Sequence, residues 1–455
     1  MGKLFGTDGV RGVANVDLTP ELAFRLGRAA AHVLGADLAT ETAEGAPLRF
    51  FLGRDTRISG EMLEAALIAA ITSTGAHALR GGILPTPAVA YLTRIQGSAA
   101  GVVISASHNP IEDNGIKFFA QDGFKLPDAV EETIEAFLER DDLPRAVGTR
   151  VGLVTESPEA ADVYVDYVAS LATASLAGMR VVVDCAFGAA FRTAPMLWQI
   201  LGATVIPIND ASDGNRINVG CGSTNPEPLR QAVLEHGADV GFAHDGDADR
   251  VIAVDEAGRI VDGDAIMGMC AQRLHAQGKL TSGRVVATVM SNLGLELALR
   301  RAGIALERTR VGDRYVLERM RELGANFGGE QSGHIIFLDH ATTGDGMLTA
   351  VQVVNVMLET GKRLSELAAP IERFPQILRN VPVASRQALD NRPEIAAAIA
   401  DAERTLGSRG RVLVRPSGTE PLVRVMVEAE DLQQAESVAR HLVDVIARAG
   451  RVRPH

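Results

Sequence analysis

The chain has 455 residues, which at about 150 residues per domain predicts three domains, or four if one is small. Hydrophobic residues make up 46% and charged residues 22%, a balance that excludes a disordered or fibrous protein. The net charge of −12 disfavours nucleic acid and anionic membranes, and no stretch reaches the roughly 18 to 20 apolar residues that span a bilayer. With no apolar signal core at the N-terminus, we expect a cytoplasmic protein with no nucleic-acid or membrane partner.

The cysteine content argues against a disulfide or zinc framework. The chain has three cysteines, Cys185, Cys221 and Cys270, and none belongs to a C-x-x-C pair. We therefore expect these residues to be small, buried, hydrophobic side chains.

The predicted elements begin with a strand–loop–helix unit. A strand is predicted over Leu48–Leu52, a loop over Gly53–Gly60, a helix over Glu61–Thr74 and a strand over Gly101–Ile104. Charged residues with interspersed Pro and Gly follow at 140–160 and indicate a domain boundary.

One pattern then recurs along the chain. A helix-period segment ends in Gly-Ala or a close variant, a short apolar strand follows, and the strand leads into a polar, glycine-rich loop. The pattern occurs at 201–210, 236–250, 302–315 and 323–334. Strands that alternate with helices predict parallel or mixed sheets, and ligands bind beyond the carboxyl ends of such strands.

The C-terminal region has a different pattern. Strands predicted at Arg411–Arg415 and Leu422–Glu428 flank the loop PSGTEP and indicate an antiparallel hairpin. The second strand alternates valines with other residues and is expected to be half-buried. One face of a closing helix is predicted to carry Leu432, Ala435, Val438, Leu442 and Ile446.

Further boundaries are predicted near Asp255–Asp264 and Gly361–Pro382. The predicted fold is therefore α/β, with three α/β domains containing mixed sheets and a smaller C-terminal α+β domain. The four domains are placed at residues 1–157, 158–258, 259–373 and 374–455.

An acidic loop is the sharpest chemical signal. Asp245, Asp247 and Asp249 stand at alternate positions and can direct carboxylate oxygens toward one cation, and oxygen ligands indicate Mg²⁺ or Ca²⁺ rather than zinc. An EF-hand is excluded because Arg250 occupies the sixth position, which requires Gly, and because 251–254 is typical of a strand. A solvated acidic turn is the plain alternative, but three like charges between apolar flanks repel strongly without a cation.

Other loops carry hydroxyls and arginines. The loop in VVISASHNP presents serines that are candidates for a nucleophile or phosphate carrier, although serine-rich turns are common, and no G-x-S-x-G elbow supports a hydrolase. Donors for a phosphate occur in RPSGTE with Arg424 behind it, in GRDTRISG with Arg54 and Arg57, and in GTDGVRG with Arg11. Each of these loops alone is also compatible with a plain turn. With GEQSGH, which suits sugar hydroxyls, they predict phosphoryl transfer on a small phosphorylated sugar.

These loops, in this order, resemble the α-D-phosphohexomutase superfamily. The matching segments are FGTDGVRG, GRDTRISG, ISASHNP with DNGIKFF, DGDADR, VGDRY, GEQSGH, TTGDG and RPSGTEPLVRVM, from residue 5 to residue 426. The resemblance implies four domains around a central cleft and an isomerase that works through a phosphoserine and a sugar bisphosphate. The opening segment and GEQSGH look like the glucosamine branch of the family, with the glucose and mannose branches as the alternative.

The resemblance also implies roles for individual residues. Ser107 is the expected phosphoserine, and one Mg²⁺ per chain is expected to bind its phosphate together with the three aspartates of the acidic loop. The expected substrate-binding residues are Arg250, Glu330, Ser332, Arg415, Ser417, Gly418, Thr419 and Arg424. Of these, Glu330 and Ser332 are expected to contact the sugar, and the loop from Arg415 to Thr419 the phosphate that is not reacting.

The remaining catalytic candidates are cationic or titratable side chains. Arg11 is expected to stabilise phosphate charge. Lys117 and His334 by pattern, and His108 by proximity to Ser107, are candidates for the base, and the sequence does not rank them. The competing hypotheses are a metal-dependent phosphatase and a non-catalytic phosphosugar sensor, and the chain is expected to be a monomer or a homodimer.

Three positions depart from the family pattern. Ala248 stands where the family more often has Gly, His244 stands where an apolar residue is usual, and Phe187 stands where Asn is typical. All three aspartates remain, so metal binding is still expected, and His244 is expected to be a structural or outer-sphere residue rather than a ligand.

Overall fold

The computed structural model describes residues 4–6, 8–38, 48–383, 392–416 and 422–449. The chain divides into two compact units, one of residues 1–290 with 304–369 and one of residues 291–303 with 370–455. Within the described residues, the first unit holds three mixed sheets with helices packed on them, and the second holds one small antiparallel sheet.

The first sheet of the larger unit has six described strands in the order β1-β5-β4-β2-β3-β6. Its strands are β1 (Val10–Val13), β2 (Arg49–Arg54), β3 (His77–Ile83), β4 (Ala100–Ile104), β5 (Asp113–Ala120) and β6 (Val154–Glu156). Its helices are α1 (Pro20–Leu38), α2 (Ser59–Ser73), α3 (Thr86–Ile95) and α4 (Asp128–Phe137). The predicted strand–loop–helix unit is confirmed, with the first strand extended to Arg54 and the helix starting at Ser59.

The second sheet has the order β11-β10-β9-β7-β8. Its strands are β7 (Arg180–Asp184), β8 (Thr204–Ile208), β9 (Val240–His244), β10 (Val251–Asp255) and β11 (Ile260–Val261), and its helices are α5 (Ala160–Ala169), α6 (Thr193–Ile200) and α7 (Glu227–His236). Strands β9 and β10 are antiparallel, and His244 pairs with Val251. The acidic loop is therefore the tip of a hairpin, and the rejection of an EF-hand is confirmed because a strand follows the loop.

The third sheet has the order β13-β12-β14-β15. Its strands are β12 (Arg284–Thr288), β13 (Ala305–Thr309), β14 (Phe327–Gly329) and β15 (Ile335–Phe337). The helices of this region are α8 (Gly263–Ala276), α10 (Asp313–Leu323), α11 (Gly346–Thr360) and α12 (Leu364–Ala368). Glycines in the left-handed conformation end α7 and α10, as the recurring pattern predicts at 236–250 and 323–334, and a further glycine of this kind ends α11.

The smaller unit contains β16 (Gln376–Pro382), β17 (Arg411–Pro416) and β18 (Leu422–Glu428), with α9 (Leu293–Arg301), α13 (Pro393–Leu406) and α14 (Leu432–Ala449). All its strand pairs are antiparallel, so the predicted hairpin and α+β character are confirmed. The prediction that β18 is half-buried is wrong at Met426 and Glu428. Both residues are buried because β18 is the central strand of its sheet. The predicted face of α14 is wrong at Leu432, which is exposed at the start of the helix.

The burial of the cysteines and the character of the helices agree with the expectations from composition. Cys185, Cys221 and Cys270 are buried free thiols. None of the helices within the described ranges is long and apolar enough to cross a membrane.

Candidate active site

Ser107 lies in the turn that follows β4 and is almost fully buried. Its backbone has a φ of 50°, in the left-handed region, and its amide donates to Ser105 Oγ at 2.9 Å. The Ser107 hydroxyl donates to Asp245 Oδ2 at 2.6 Å. A segment of the first sheet and the acidic loop of the second sheet therefore meet at this hydroxyl.

The three aspartates of the acidic loop form a compact, buried cluster. One carboxylate oxygen from each of Asp245, Asp247 and Asp249 lies within 4.8 Å of the others. Oδ1 of Asp247 and Oδ1 of Asp249 are buried and accept no hydrogen bond from the described part of the chain. Buried carboxylate oxygens without donors are costly, whereas a hard divalent cation uses this donor set. The residues present therefore fit a metal ion.

The electrostatics of the cluster point the same way. Burial and the charges of Asp249 and Asp247 raise the pKa of Asp245 well above its ordinary value. Burial also acts to raise the pKa of Asp249, but the neighbouring charges of His334 and Lys117 outweigh burial and hold that pKa below its ordinary value. The charge of Asp245 is therefore disfavoured by its carboxylate neighbours, and a cation bound at the three aspartates would offset that repulsion.

A chain of buried and partly buried ion pairs leads away from the aspartates. Lys117 Nζ lies 3.2 Å from Asp247 Oδ2 and 2.9 Å from Asp8 Oδ2. Lys125 Nζ lies 2.6 Å from Asp8 Oδ1 and also pairs with Asp313. Burial acts to lower the pKa of Lys117, but the carboxylates of Asp247 and Asp8 outweigh it and raise the pKa. Lys117 is therefore a fixed positive charge beside the metal-fitting cluster.

His334 closes this chain of charges. Its Nδ1 lies 3.4 Å from Asp249 Oδ2, and its Nε2 lies 3.6 Å from Asp313 Oδ2. Burial acts to lower the pKa of His334, but the two carboxylates raise it to about 8. The contacts thus close into a ring of charged side chains from the regions of all three sheets in the larger unit. Its members are Asp247, Lys117, Asp8, Lys125, Asp313, His334 and Asp249.

His108 has the opposite electrostatic character. Its Nδ1 lies 3.4 Å from Ser107 Oγ. Burial, together with the charges of Arg250 and Arg11, lowers the pKa of His108 to about 4. The histidine nearest to the serine is therefore neutral at pH 7. The carboxylates beside His334 favour its protonated form, whereas the Gly344 amide donates to its Nε2 at 3.1 Å and favours the neutral ring.

A cavity of about 390 Å³ opens onto these groups. Its lining includes Arg11, His108, Asp249, Arg250, Glu330 and His334, which are all residues singled out by the sequence. The volume is in the range of sites that hold small molecules, and the mixture of cations and carboxylates suits a polar, charged ligand.

The carboxylate of Glu330 is held at the cavity wall. Its Oε1 accepts from the Gly312 amide at 3.1 Å, and the exposed Ser332 hydroxyl donates to its Oε2 at 3.4 Å.

Arg250 adds a positive charge to the cavity wall. Burial acts to lower the pKa of Arg250, but the charges of Asp249 and Asp245 raise it above its ordinary value. The cavity therefore offers a hydrogen-bonding carboxylate and a permanent cation.

The prediction that Arg54 and Arg57 bind an anion is wrong. Arg54 pairs with Glu61 at 2.8 Å and with Glu64 at 3.3 Å. Arg57 is fully buried and donates to Asp55 and to backbone carbonyls. The donors of both arginines are occupied within the fold.

The predicted phosphate-binding loop from Arg415 to Thr419 belongs to the smaller unit. Arg415 and Arg424 stand directly opposite each other on β17 and β18. Burial and the charge of Arg424 lower the pKa of Arg415, and Arg424 Nε is buried with no hydrogen-bond partner among the described residues. Facing like charges are destabilising, so this pair favours an anion. The predicted residues Ser417, Gly418 and Thr419 lie outside the described residues.

The three departures from the family pattern have structural explanations. Ala248 has a φ of 57°, a conformation in which Gly is favoured, at a cost of about 1 kcal/mol for Ala. His244 is fully buried, with Nδ1 3.2 Å from the Arg250 carbonyl oxygen, and it lies outside the carboxylate cluster. Phe187 stacks under Arg216 at 4.0 Å, and its carbonyl accepts from Thr56 Oγ1 at 2.5 Å.

The sequence interpretation missed several polar residues of the site. Asp8 and Asp313 line the cavity and stand inside the segments FGTDGVRG and VGDRY, where neither has a neighbouring carboxylate that would mark it as a site residue. Lys125 belongs to no motif. Asn218, whose Nδ2 donates to the Ser107 carbonyl at 2.9 Å, also carried no signal.

Comparison with known families gives a match to nearly the whole chain. The four domains of the phosphoglucomutase/phosphomannomutase family match in order: alpha/beta/alpha domain I at 2–145, domain II at 162–258, domain III at 262–374 and the C-terminal domain at 378–445.

Individual relatives agree with this match. The phosphoglucosamine mutase of Pelotomaculum thermopropionicum is 58% identical over 98% of this chain and 99% of its own length, and that of Desulforamulus reducens is 55% identical over the same shares. A solved phosphoglucomutase/phosphomannomutase family protein from Burkholderia thailandensis superposes with a TM-score of 0.82 at 22% identity, over 99% of this chain and 98% of that chain. The chain therefore belongs to the phosphoglucomutase/phosphomannomutase family of isomerases, with the bacterial phosphoglucosamine mutases among its full-length relatives.

Proposed function

We propose that the chain interconverts glucosamine 6-phosphate and glucosamine 1-phosphate through phosphorylated Ser107 and a bisphosphate intermediate. The observation that carries the proposal is the 2.6 Å hydrogen bond from Ser107 Oγ to Asp245, inside a metal-fitting carboxylate cluster beside a charged cavity. The relatives with more than half of their residues identical carry the name phosphoglucosamine mutase.

In the proposed reaction, the phosphoryl group of phospho-Ser107 passes to the free hydroxyl of the bound sugar monophosphate. A new P–O bond to the sugar forms and the P–Oγ bond breaks. The sugar hydroxyl gives its proton to a base, and Ser107 Oγ takes up a proton as it leaves. The bisphosphate then turns round and returns its other phosphoryl group to Ser107. Ser107 is almost fully buried, and this burial would limit the access of water to the phosphoryl group.

Asp245, Asp247 and Asp249 would hold one Mg²⁺ together with the seryl phosphate. The bound ion supplies positive charge to the phosphoryl oxygens during transfer. Lys117 and Arg11 add fixed positive charge, since Lys117 contacts Asp247 and Arg11 lines the cavity.

The base is proposed on geometry alone. Of the three candidates, His108 has a ring nitrogen 3.4 Å from Ser107 Oγ. Lys117 and His334 are instead engaged by carboxylates on two sides. We therefore place His108 at Ser107 Oγ, the oxygen that leaves in the first transfer and attacks in the second, as the base for the second transfer. Charge stabilisation is assigned to Lys117 and His334.

The remaining assignments follow the resemblance. Arg250, Glu330 and Ser332 would bind the sugar phosphate and sugar hydroxyls. The proposal also includes domain boundaries after residues 157, 258 and 373. It further includes a cytoplasmic location and a monomeric or homodimeric state. The Aspergillus fumigatus N-acetylphosphoglucosamine mutase, solved with GlcNAc-6P and magnesium, has a similar fold, with a TM-score of 0.64 at 18% identity.

A single incubation separates this function from its rivals. With glucosamine 6-phosphate and Mg²⁺, the mutase forms glucosamine 1-phosphate without stoichiometric free phosphate. A phosphatase releases phosphate, and a sensor binds the sugar without changing it. Release of phosphate at the rate of substrate loss contradicts the proposal.

The sugar preference is a further expected result. Glu330 lies at the cavity wall and offers a carboxylate to a substrate ammonium, which glucose and mannose phosphates lack. A charged hydrogen bond of this kind favours glucosamine phosphate by about 10- to 100-fold in kcat/KM. Comparing kcat/KM for the three 1-phosphates checks this. If glucose or mannose 1-phosphate is the best substrate, the glucosamine assignment is wrong and the family reaction is retained.

Arg415→Ala tests the proposed binding of the phosphate that is not reacting. This group is bound in both orientations of the sugar, so its loss should raise KM by about tenfold or more and change kcat less. Arg379→Ala is the control, because Arg379 lies on the same sheet and pairs with Glu436 at the surface. A much lower kcat with an unchanged KM would instead place Arg415 at the reacting phosphate.

A further inference from the structure

Arg57 is a fully buried arginine whose donors converge on one short loop. Its Nη2 donates to the carbonyls of Ser107 at 3.1 Å and Asn109 at 2.8 Å. Its Nη1 donates to the carbonyl of Asp113 at 2.9 Å and also to that of Pro110. Four carbonyls within seven residues are thus held by one planar guanidinium.

The opposite side of this guanidinium is fixed by Asp55. Arg57 Nε donates to Asp55 Oδ2 at 3.0 Å, and the Arg57 amide donates to Asp55 Oδ1 at 2.9 Å. Asp55 Oδ2 also accepts from Ser105 Oγ at 2.6 Å, and Ser105 Oγ accepts from the Ser107 amide at 2.9 Å. The loop that carries Ser107 is therefore bound to Asp55 both directly and through Arg57.

Further contacts restrict the position of the Ser107 carbonyl. Asn218 Nδ2 donates to it at 2.9 Å, and a Cβ at Gly246 would lie 2.5 Å from it. Ser107 itself holds a φ of 50°, which a non-glycine residue keeps only when its surroundings fix it. The Arg57 and Asn218 contacts supply that fixation from two different sheets.

We propose that Arg57 is a positioning residue that fixes the Ser107 loop so that the hydroxyl faces Asp245 and the cavity. The inference rests on the proposed function, because it assigns Arg57 to the reaction only through Ser107. Arg57 is absent from the cavity lining, so its effect acts on the transfer step rather than on sugar binding.

Lysine cannot replace this arginine, because a single ammonium group cannot reach four carbonyls that a planar fork reaches together. Arg57→Lys should lower kcat by about 100-fold, the effect of a displacement near 1 Å of a reacting group. The KM for glucosamine 6-phosphate should stay within about threefold. Phosphorylation of Ser107 by glucosamine 1,6-bisphosphate, followed by rapid quench and intact mass spectrometry, should slow by the same factor as kcat.

Arg54→Lys is the matched control. Arg54 is buried at the end of β2, three residues before Arg57, and pairs with Glu61 and Glu64. Among the described residues, its side chain makes no hydrogen bond or ion pair with the Ser107 loop. The two variants should lose similar amounts of thermal stability, whereas kcat should fall only in Arg57→Lys. Equal kcat losses in both variants at equal stability would overturn the proposal, because the effect would then be general destabilisation.

Asn218→Gly provides a second test if Arg57→Lys does not fold. Glycine accepts the positive φ of 62° at this position and removes only the hydrogen bond to the Ser107 carbonyl. Phosphorylation of Ser107 should slow about fivefold, which is the effect of one lost hydrogen bond. The affinity for Mn²⁺, measured by calorimetry, should be unchanged. Because Asn218 and Arg57 donate to the same carbonyl, an unchanged phosphorylation rate would show that holding this carbonyl does not govern transfer, and it would overturn the proposal.

The outcome is separable from that of the proposed function. If Ser107→Ala remains active, the phosphoserine function fails whatever Arg57→Lys shows. If Ser107→Ala is inactive and Arg57→Lys has the wild-type kcat, only the role of Arg57 fails.

Discussion

Ser107→Ala should abolish isomerisation, with a loss of at least about 10⁴-fold in kcat, while the protein remains folded. The hydroxyl is the proposed carrier of the phosphoryl group, and alanine at this position has no oxygen that could form the covalent intermediate beside Asp245. The backbone strain is unchanged, since serine and alanine both carry a Cβ at a φ of 50°. The rate of glucosamine 1-phosphate formation and the circular dichroism spectrum measure the two parts of this prediction.

Ser105→Ala is the matched control for this variant. Ser105 Oγ accepts from the Ser107 amide and donates to Asp55, so its loss loosens the loop without removing the proposed carrier. Mass spectrometry should find phosphate on Ser107 in wild type and in Ser105→Ala, and none in Ser107→Ala. Phosphate on Ser105, or turnover by Ser107→Ala, contradicts the assignment.

The metal-fitting loop was predictable because its information is local. Three aspartates at alternate positions between two apolar strands bring their carboxylates together by hairpin geometry alone. The same holds for the hairpin of the smaller unit, where turn residues and alternating valines specify the two strands. Local patterns of this kind need no knowledge of the tertiary structure.

The arginines of GRDTRISG show where local patterns fail. From sequence, Arg54 and Arg57 are equivalent loop cations after a strand. Their roles are set by partners remote in sequence, since Arg57 meets carbonyls about fifty residues away, whereas Arg54 meets glutamates on α2. The difference between an anion donor and a buried clamp is therefore a tertiary property.

The ring of ion pairs around the cavity is a second example. Lys125 joins Asp8 and Asp313, which are 117 and 188 residues away in the chain. Neither aspartate is close to another carboxylate in sequence, and Lys125 follows an ordinary turn. Only the packing of the first and third sheets brings them together, so spacing rules could not reveal them.

Asp247→Asn should weaken binding of a divalent cation by about 100-fold or more and nearly eliminate turnover. The amide has the same shape but no charge, so one of three anionic ligands is lost at a hard cation. The wild-type Oδ2 already accepts from Thr86 Oγ1 at 2.7 Å and lies 3.2 Å from Lys117 Nζ, so Oδ1 is the oxygen left for the metal. Binding of Mn²⁺ by calorimetry measures the metal separately from activity.

Asp255→Asn is the control for this prediction, because Asp255 is buried at the far end of the same hairpin and pairs with Arg259. It should keep wild-type metal affinity and turnover. In wild type, a chelator should remove activity and Mg²⁺ should restore it, because the charge that offsets the phosphoryl oxygens is lost and regained. Full activity in chelator, or Mn²⁺ affinity in Asp247→Asn equal to that of Asp255→Asn, would exclude the acidic loop as the metal site.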